Sequence, residues 1–385
     1  MRAALHGLRP GTNAPTGAAM FCGGLFVAEI LRVLDLGLVS APRSQALFHG
    51  IASIMRAGDD PVLTLVSPER PYVCIGMHQD VVAEVDEAYC RGAGLPVLRR
   101  HVGGGAVYLD HNQLFFHFIY PVNKAPRRVT DLYAYFVAPV LATYQALGIA
   151  ARLRPINDIH VNDRKIGGTG AAQIGDATIF VGSFMLDFDV ETMARCLKVP
   201  SEKFRDKLRG TLRDYITTMR RELGAIPSRE ELVARFLRDV AEYLCVEPRH
   251  DDLRADETRA VDEWERQLQE PDWLYQPNRR CFTEGVKITG GVHLSEGMHK
   301  ARGGLLRVRL LSQNERIVDL DISGDFTCIP ASGIAALAQA LSGLDLCADM
   351  PSQIAQHMTV LGLDMPGVDA EDIATALRSA YQPAD

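Results

Sequence analysis

Apolar residues recur at helical spacing over 43–56, where Ala46, Leu47, Ile51 and Ile54 share a stripe and Ser40 stands as a candidate cap. The period then shortens. Segments 62–66 and 72–75 read as strands, 83–91 as a helix, and 96–100, 106–109 and 114–120 as strands again. A long amphipathic helix follows over 130–147. Two short alternating arms, 159–161 and 164–166, flank Asn162-Asp163, a dipeptide suited to a tight hairpin. After a strand at 178–188, helices dominate to Leu244. Strands in the middle with helices outside predict an α+β domain with a mixed, largely antiparallel sheet flanked by helices.

The pattern breaks at 248–256, which is charged and Pro-punctuated, so 248–262 reads as a linker between a first domain at 31–247 and a second at 263–385. Beyond it come a helix over 257–269, a loop over 273–281 and strands at 285–294, 303–311 and 317–322, with turns at Gly297 and Ser312-Gln313-Asn314. Helices at 331–344 and 369–381 complete a second small α+β domain. At the other end, 1–30 reads as a disordered tail or a mis-assigned start. The apolar run 21–38 is interrupted by Glu29, Arg32 and Asp35, so it predicts neither a membrane span nor a secretory signal.

Composition changes this picture little. The 385 residues, 47% hydrophobic and 23% charged, suit two globular domains. A formal charge of −7 disfavours a nucleic-acid binder. Eight cysteines occur singly without zinc spacing, which reads as reduced thiols in the cytoplasm. The histidines form no HExxH-type ligand set.

The chemistry concentrates in two runs. In the first, RRHVGGGAVYLD at 99–110, two arginines precede Gly103, Gly104 and Gly105. Consecutive glycines expose backbone amides, which form a concave nest for anions, and Arg100 can add a planar cationic donor. No Lys-Ser or Lys-Thr pair follows, so this is not a P-loop. The contiguous glycines and the strand after them also exclude a dinucleotide fingerprint. The second run, NDIHVNDRKIGGT at 157–169, holds Lys165 in the second arm of the hairpin. Alternation sends Arg164 and Ile166 to one face and Lys165 to the other, while Gly167 and Gly168 leave room beside the lysine.

In this order the two runs resemble the lipoate–protein ligase family, whose pattern is RR-x-[ST]-GGGAV-x-HD followed by ND…RK-[IV]-x-G with an essential lysine. Ile75-Gly76-Met77-His78-Gln79 resembles the family's IG-x-x-Q segment, and 181–186 resembles its HGT-[IL]-L strand. The resemblance covers roughly 34–244, and a weaker match continues from about 264 to the C-terminus. It implies a fold shared with biotin ligases and a C-terminal accessory domain that supports adenylate formation. It also implies an ATP-dependent reaction in which lipoate or octanoate becomes an acyl-AMP and then passes to a carrier lysine. Lys165 is then the catalytic cation. Arg100, the three glycines, Ala106, Val107, Tyr108, Asn157 and Asp158 line the nucleotide, and Asp158 is the candidate ligand for Mg²⁺. Gln79, Val102, Gly167, Gly168 and Gly182 fall to the acyl substrate. Phe115, Phe116, Phe118 and Leu109 are further candidates for an apolar slot, and His101 and His111 flank the loop.

Carriers implied by the resemblance are an E2 lipoyl domain, a glycine-cleavage H-protein or a specialised lipoate-binding protein, with neither nucleic acid nor membrane as partner. Their acidic domains need a local basic patch, for which Arg99, Arg152, Arg154 and Lys165 are candidates; 299–302 is another basic run that can meet the catalytic face. Three positions depart from the pattern: Val102 replaces Ser or Thr, and Leu109 and Val181 each replace His. Two other readings stay open, an octanoyl or lipoyl transferase on the same fold and a non-catalytic protein that binds the acyl cofactor.

Overall fold

The structure, a computed structural model, describes residues 28–276, 292–346 and 349–381. It opens with β1 (Glu29–Val39) and α1 (Ala41–Ile54), where Ser40 accepts a hydrogen bond from Arg43 N as the N-cap. β2 (Val62–Pro68) and β3 (Tyr72–Ile75) are wholly buried. The helix expected over 83–91 is two short ones, α2 (Val81–Glu84) and α3 (Glu87–Gly92), because Asp80 and Asp86 each cap a separate start. β4 (Val97–Arg99) enters the glycine loop and β5 (Val107–Leu109) leaves it. Next come β6 (Gln113–Pro121), α4 (Val129–Ala146), β7 (Ala151–Arg154), β8 (Asp158–Val161), β9 (Arg164–Ile174) and β10 (Ala177–Met185).

α5 (Val190–Cys196), α6 (Glu202–Tyr215), α7 (Met219–Leu223) and α8 (Arg229–Leu244) precede β11 (Val246–His250), α9 (Ala255–Gln267) and α10 (Pro271–Tyr275). The main sheet runs β11-β1-β2-β6-β10-β9-β8-β7, with β1 parallel to β2 and β11 and the other pairs antiparallel. That is the mixed, largely antiparallel sheet expected. Strand alternation divides β6 between two cores. Phe116 and Phe118 pack with Phe136 and Phe236 under α4 and α8, while Phe115 and Ile119 pack with Phe48 and Val261 under α1 and α9. Each such side chain, fully buried, contributes about 1.5–3 kcal/mol.

The segment 248–262 is not a linker. β11 lies parallel on β1, and α9 packs on α1 so closely that a Cβ on Gly50 would sit 2.6 Å from Val261 Cα. The charges that suggested solvent exposure are engaged in ion pairs: Arg32 with Asp251 and Glu257, and Arg43 with Asp262 and Glu265. The first domain therefore extends to α10. At its other end, Glu29 and Ile30, counted with the tail, are already strand; 1–27 lie outside the described residues.

The second unit is an antiparallel meander, β12 (Val292–Ala301), β13 (Gly304–Gln313) and β14 (Arg316–Gly324), with α11 (Gly333–Leu341), α12 (Met350–Val360) and α13 (Ala370–Ala380) around a third core. Gly297, expected in a turn, lies within β12. A Cβ there would come 2.5 Å from Ala376 O, so its missing side chain admits α13 rather than a bend. The chain turns instead at Arg302-Gly303. α12 had no counterpart in the sequence reading. The expected loop beyond 276 and the expected strand before 292 lie outside the described residues.

Candidate active site

A small sheet, β4-β3-β5, holds the glycine loop. Arg100 donates through Nη2 to Gly103 O and Gly105 O, both at 2.9 Å, and through Nη1 to Cys74 O at 3.0 Å. Its guanidinium thus gathers the loop's carbonyls on one side. In a trans peptide the N–H opposes the C=O, so the amides of Gly104 and Ala106 turn to the other side. Arg100 builds the cradle from behind. Gly104 takes φ +92°, a left-handed geometry open to glycine. Gly76 braces the loop from below: a Cβ there would collide with Gly104 O, and its N–H donates to Gln79 Oε1. Gln79, assigned to substrate from the motif, is buried in this bracing turn.

Lys165 stands on β9. Asp158 and His160 share one face of β8, while Ile159 and Val161 enter the core with Ile166. The Lys165 ammonium lies 2.7 Å from Asp158 Oδ1 and folds over Gly168, where a Cβ would sit 3.2 Å from Nζ. Gly170, two residues on, faces the same way and carries Val102, the residue before the cradle; a Cβ on Gly170 would run into Val102 Cγ1. Residues two apart on a strand share a face, so the side chains of Lys165 and Val102 lie over neighbouring positions of β9. The hairpin and the loop therefore meet on one sheet face.

Other expected residues fall elsewhere. Gly167 faces Ile159 and Tyr144, and Gly182 faces Phe116, both on the opposite side of the sheet. Tyr108 packs its ring against Phe188 in a separate cluster. Asn157 donates from Nδ2 to Thr169 O and accepts from Thr169 N, tying β8 to β9. Val102 is fully buried, and with Val107, Leu109, Phe115 and Val181 it forms an apolar wall beside the cradle. Phe116 and Phe118 belong to the opposite core. Arg99 is no part of a surface patch: it is buried and donates to the carbonyls of Gly76, Met77, Gln79 and Leu274. His101 stacks on Trp273 rather than projecting from a loop, and burial pushes it down to about 4.

Two groups at the site carry no local sequence signal. Tyr215 Oη reaches Asp158 Oδ2 at 3.4 Å, and Thr217 N donates to Lys165 O at 2.9 Å, so the end of α6 closes over the lysine. The second is the segment Gly324–Thr327 of the second unit. Gly324 N donates to His78 O, Phe326 stacks on His78 at 5.1 Å, and Phe326 O meets Gly104 N at 3.5 Å. A Cβ on Gly103 would stand 2.5 Å from that same carbonyl. Burial, with the charge of Arg99 second, holds His78 down at about 3, so it stacks as a neutral ring.

This arrangement offers an amide cradle for an anionic group, a cation beside it and an apolar wall along one edge. Lipoate-protein ligase A subunit 1 of Thermoplasma acidophilum is 26% identical over 241 residues, covering 60% of this chain and 90% of that one. A structure of a bipartite lipoate protein ligase and its E2 lipoyl domain, from the same organism, superposes with TM-score 0.59 at 26% identity, over 64% of this chain and 96% of that one. The P. falciparum LipL1 structure in complex with lipoate shares the fold over 87% of this chain and 95% of its own, with TM-score 0.63 at 17% identity. Residues 45–241 match the lipoyl protein ligase A/B catalytic domain, and the chain belongs to that family.

Proposed function

We propose that this protein is an ATP-dependent lipoate–protein ligase, which activates lipoate or octanoate as an acyl-AMP and transfers the acyl group to a lysine of a carrier protein. The observation that carries this reading is the Lys165 ammonium on the same sheet face as the glycine cradle.

In the first step a carboxylate oxygen bonds to the α-phosphorus of ATP, and the bond to the leaving pyrophosphate breaks. Both reactants are anions, so they approach only where their charge is neutralised and their geometry fixed. Lys165 supplies that charge by exchanging the Asp158 carboxylate for the incoming one. The outward amide of Ala106, and that of Gly104 once it gives up Phe326 O, hold phosphate oxygens. In the second step the neutral amine of the carrier lysine attacks the acyl carbonyl, sheds a proton, and displaces AMP. Lys165 then steadies the oxyanion and the departing phosphate. The alkyl chain suits the wall of Val102, Val107, Leu109, Phe115 and Val181.

The carboxylate of Asp158 and the side-chain carbonyl of Asn157 are oxygen donors of the kind Mg²⁺ takes, alongside substrate phosphates and water. Such an ion neutralises polyphosphate charge. The carrier is an E2 lipoyl domain, an H-protein or a specialised lipoate-binding protein, and the cytoplasm is the setting that fits reduced thiols. A transferase passing the acyl group through a thiol finds less support among the described residues, where Cys74, Cys90, Cys196 and Cys328 are buried and Cys245, at the C-terminal end of α8, is the one exposed cysteine. Lipoate-dependent exchange of pyrophosphate into ATP tests the ligase reading. Acylation of a carrier from an acyl-carrier donor without nucleotide would instead establish the transferase.

A further inference from the structure

The accessory domain does more than border the cradle. Its segment Gly324–Thr327 crosses all three glycines: Phe326 O and Thr327 at Gly103, Phe326 O at Gly104 N, and the Asp325 side chain 3.9 Å from a Cβ on Gly105. The Phe326 carbonyl accepts from a cradle amide, and the Asp325 carboxylate stands beside Gly105, next to a surface whose amides suit phosphate oxygens. Asp325 is fixed there by its own domain. It accepts from Leu305 N, and Gly304 leaves space where a Cβ would come 2.7 Å from Asp325 Oδ1. Lys300, at the end of β12, brings Nζ to 3.8 Å from the same oxygen and is 67% exposed. An exposed pair at that distance holds its cation weakly, so Lys300 can change partners at little cost.

We propose that the accessory domain completes the nucleotide site: the outer phosphates of ATP displace the Asp325 carboxylate from the cradle and take Lys300 as their cation. Asp325 occupies the anion position until ATP arrives, and Lys300 is then a binding residue for the β- and γ-phosphates. Lys165, which faces the α-phosphate from the other side, is separate from it. This inference rests on the reading of the cradle as an ATP site.

Calorimetric titration of the full chain with ATP, and separately with AMP, in Mg²⁺ and without lipoate, tests it. Lys300→Gln removes the cation, and the expected result is ATP binding weakened by about tenfold with AMP binding unchanged, as for loss of one charge-assisted contact. Asp325→Asn removes the competing charge but keeps an acceptor for Leu305 N, and ATP should bind more tightly than to the wild type. ATP affinity of Lys300→Gln within twofold of wild type overturns the proposal, as does an equal loss for ATP and AMP. Weaker ATP binding by Asp325→Asn also overturns it. If the wild type itself takes up no ATP, it is the ligase reading that falls.

Discussion

Lys165 Nζ lies 2.7 Å from Asp158 Oδ1, and Tyr215 Oη approaches the other oxygen of that carboxylate at 3.4 Å. A cation kept against an internal carboxylate is oriented before any substrate arrives. Asp158→Asn keeps the shape and removes the charge, so the ammonium loses its anchor. Acyl-dependent pyrophosphate exchange should fall by about tenfold or more, the scale of a charge-assisted hydrogen bond. A rate equal to wild type would show that Asp158 neither orients Lys165 nor serves the nucleotide.

Gly103 lets the second unit reach the glycine loop, since a Cβ there would meet Phe326 O at 2.5 Å and Thr327 Cα at 2.9 Å. Both obstacles are backbone and cannot swing aside. Gly103→Ala should therefore loosen this contact at a cost of about 1–3 kcal/mol and make the segment around Phe326 easier to cleave by protease. Gly58, with nothing within 4 Å of its Cβ position, is the matched control. Equal cleavage rates for the two alanine variants would sink the idea.

Val102 replaces the hydroxyl residue of the family pattern, and it is fully buried against Gly170 and Val181. Returning a hydroxyl there places a polar group in an apolar cluster. Val102→Ser should lower unfolding stability by about 1–3 kcal/mol without tightening ATP binding. Tighter ATP binding by this variant would mean that the side chain faces phosphate after all.

Burial keeps several histidines neutral, with His117 and His78 down at about 3 and His101 down at about 4. Their folded values lie below the unfolded value of about 6.5, so the native state binds fewer protons than the unfolded chain. The stability involved is fully present above pH 6.5 and is lost as pH falls toward 4, by about 1.4 kcal/mol per unit for each group. The urea midpoint should be level near pH 7.5 and decline between 6.5 and 4.5. His117→Gln should reduce the slope, and a midpoint that rises over this interval would refute the assignment.

The site was legible where its chemistry is local. Three glycines after paired arginines mark an exposed-amide loop from composition alone, and Asn162-Asp163 between alternating arms fixes the face of Lys165. Arg100, expected to face a bound anion, donates to the loop's own carbonyls at 2.9 Å, acceptors that the sequence does not announce. Contacts made at long range were not legible. Tyr215 reaches Asp158 across 57 positions, and Phe326 reaches Gly104 across a domain boundary, with no periodicity to announce either. The misplaced linker has a similar cause: charge density reads as solvation until Arg32 is seen to bind Asp251 and Glu257. Gly297 looked like a turn because sequence cannot distinguish a bend from a helix crossing overhead.

Lipoate-dependent ATP–pyrophosphate exchange by Lys165→Ala bears most directly on the proposed chemistry. Without the ammonium, adenylation should slow by about 10²–10³-fold or more while the variant stays folded, corresponding to about 3–4 kcal/mol of lost transition-state stabilisation. Exchange at close to the wild-type rate would mean that the two anions react without this cation, and the assignment of Lys165 would have to be abandoned.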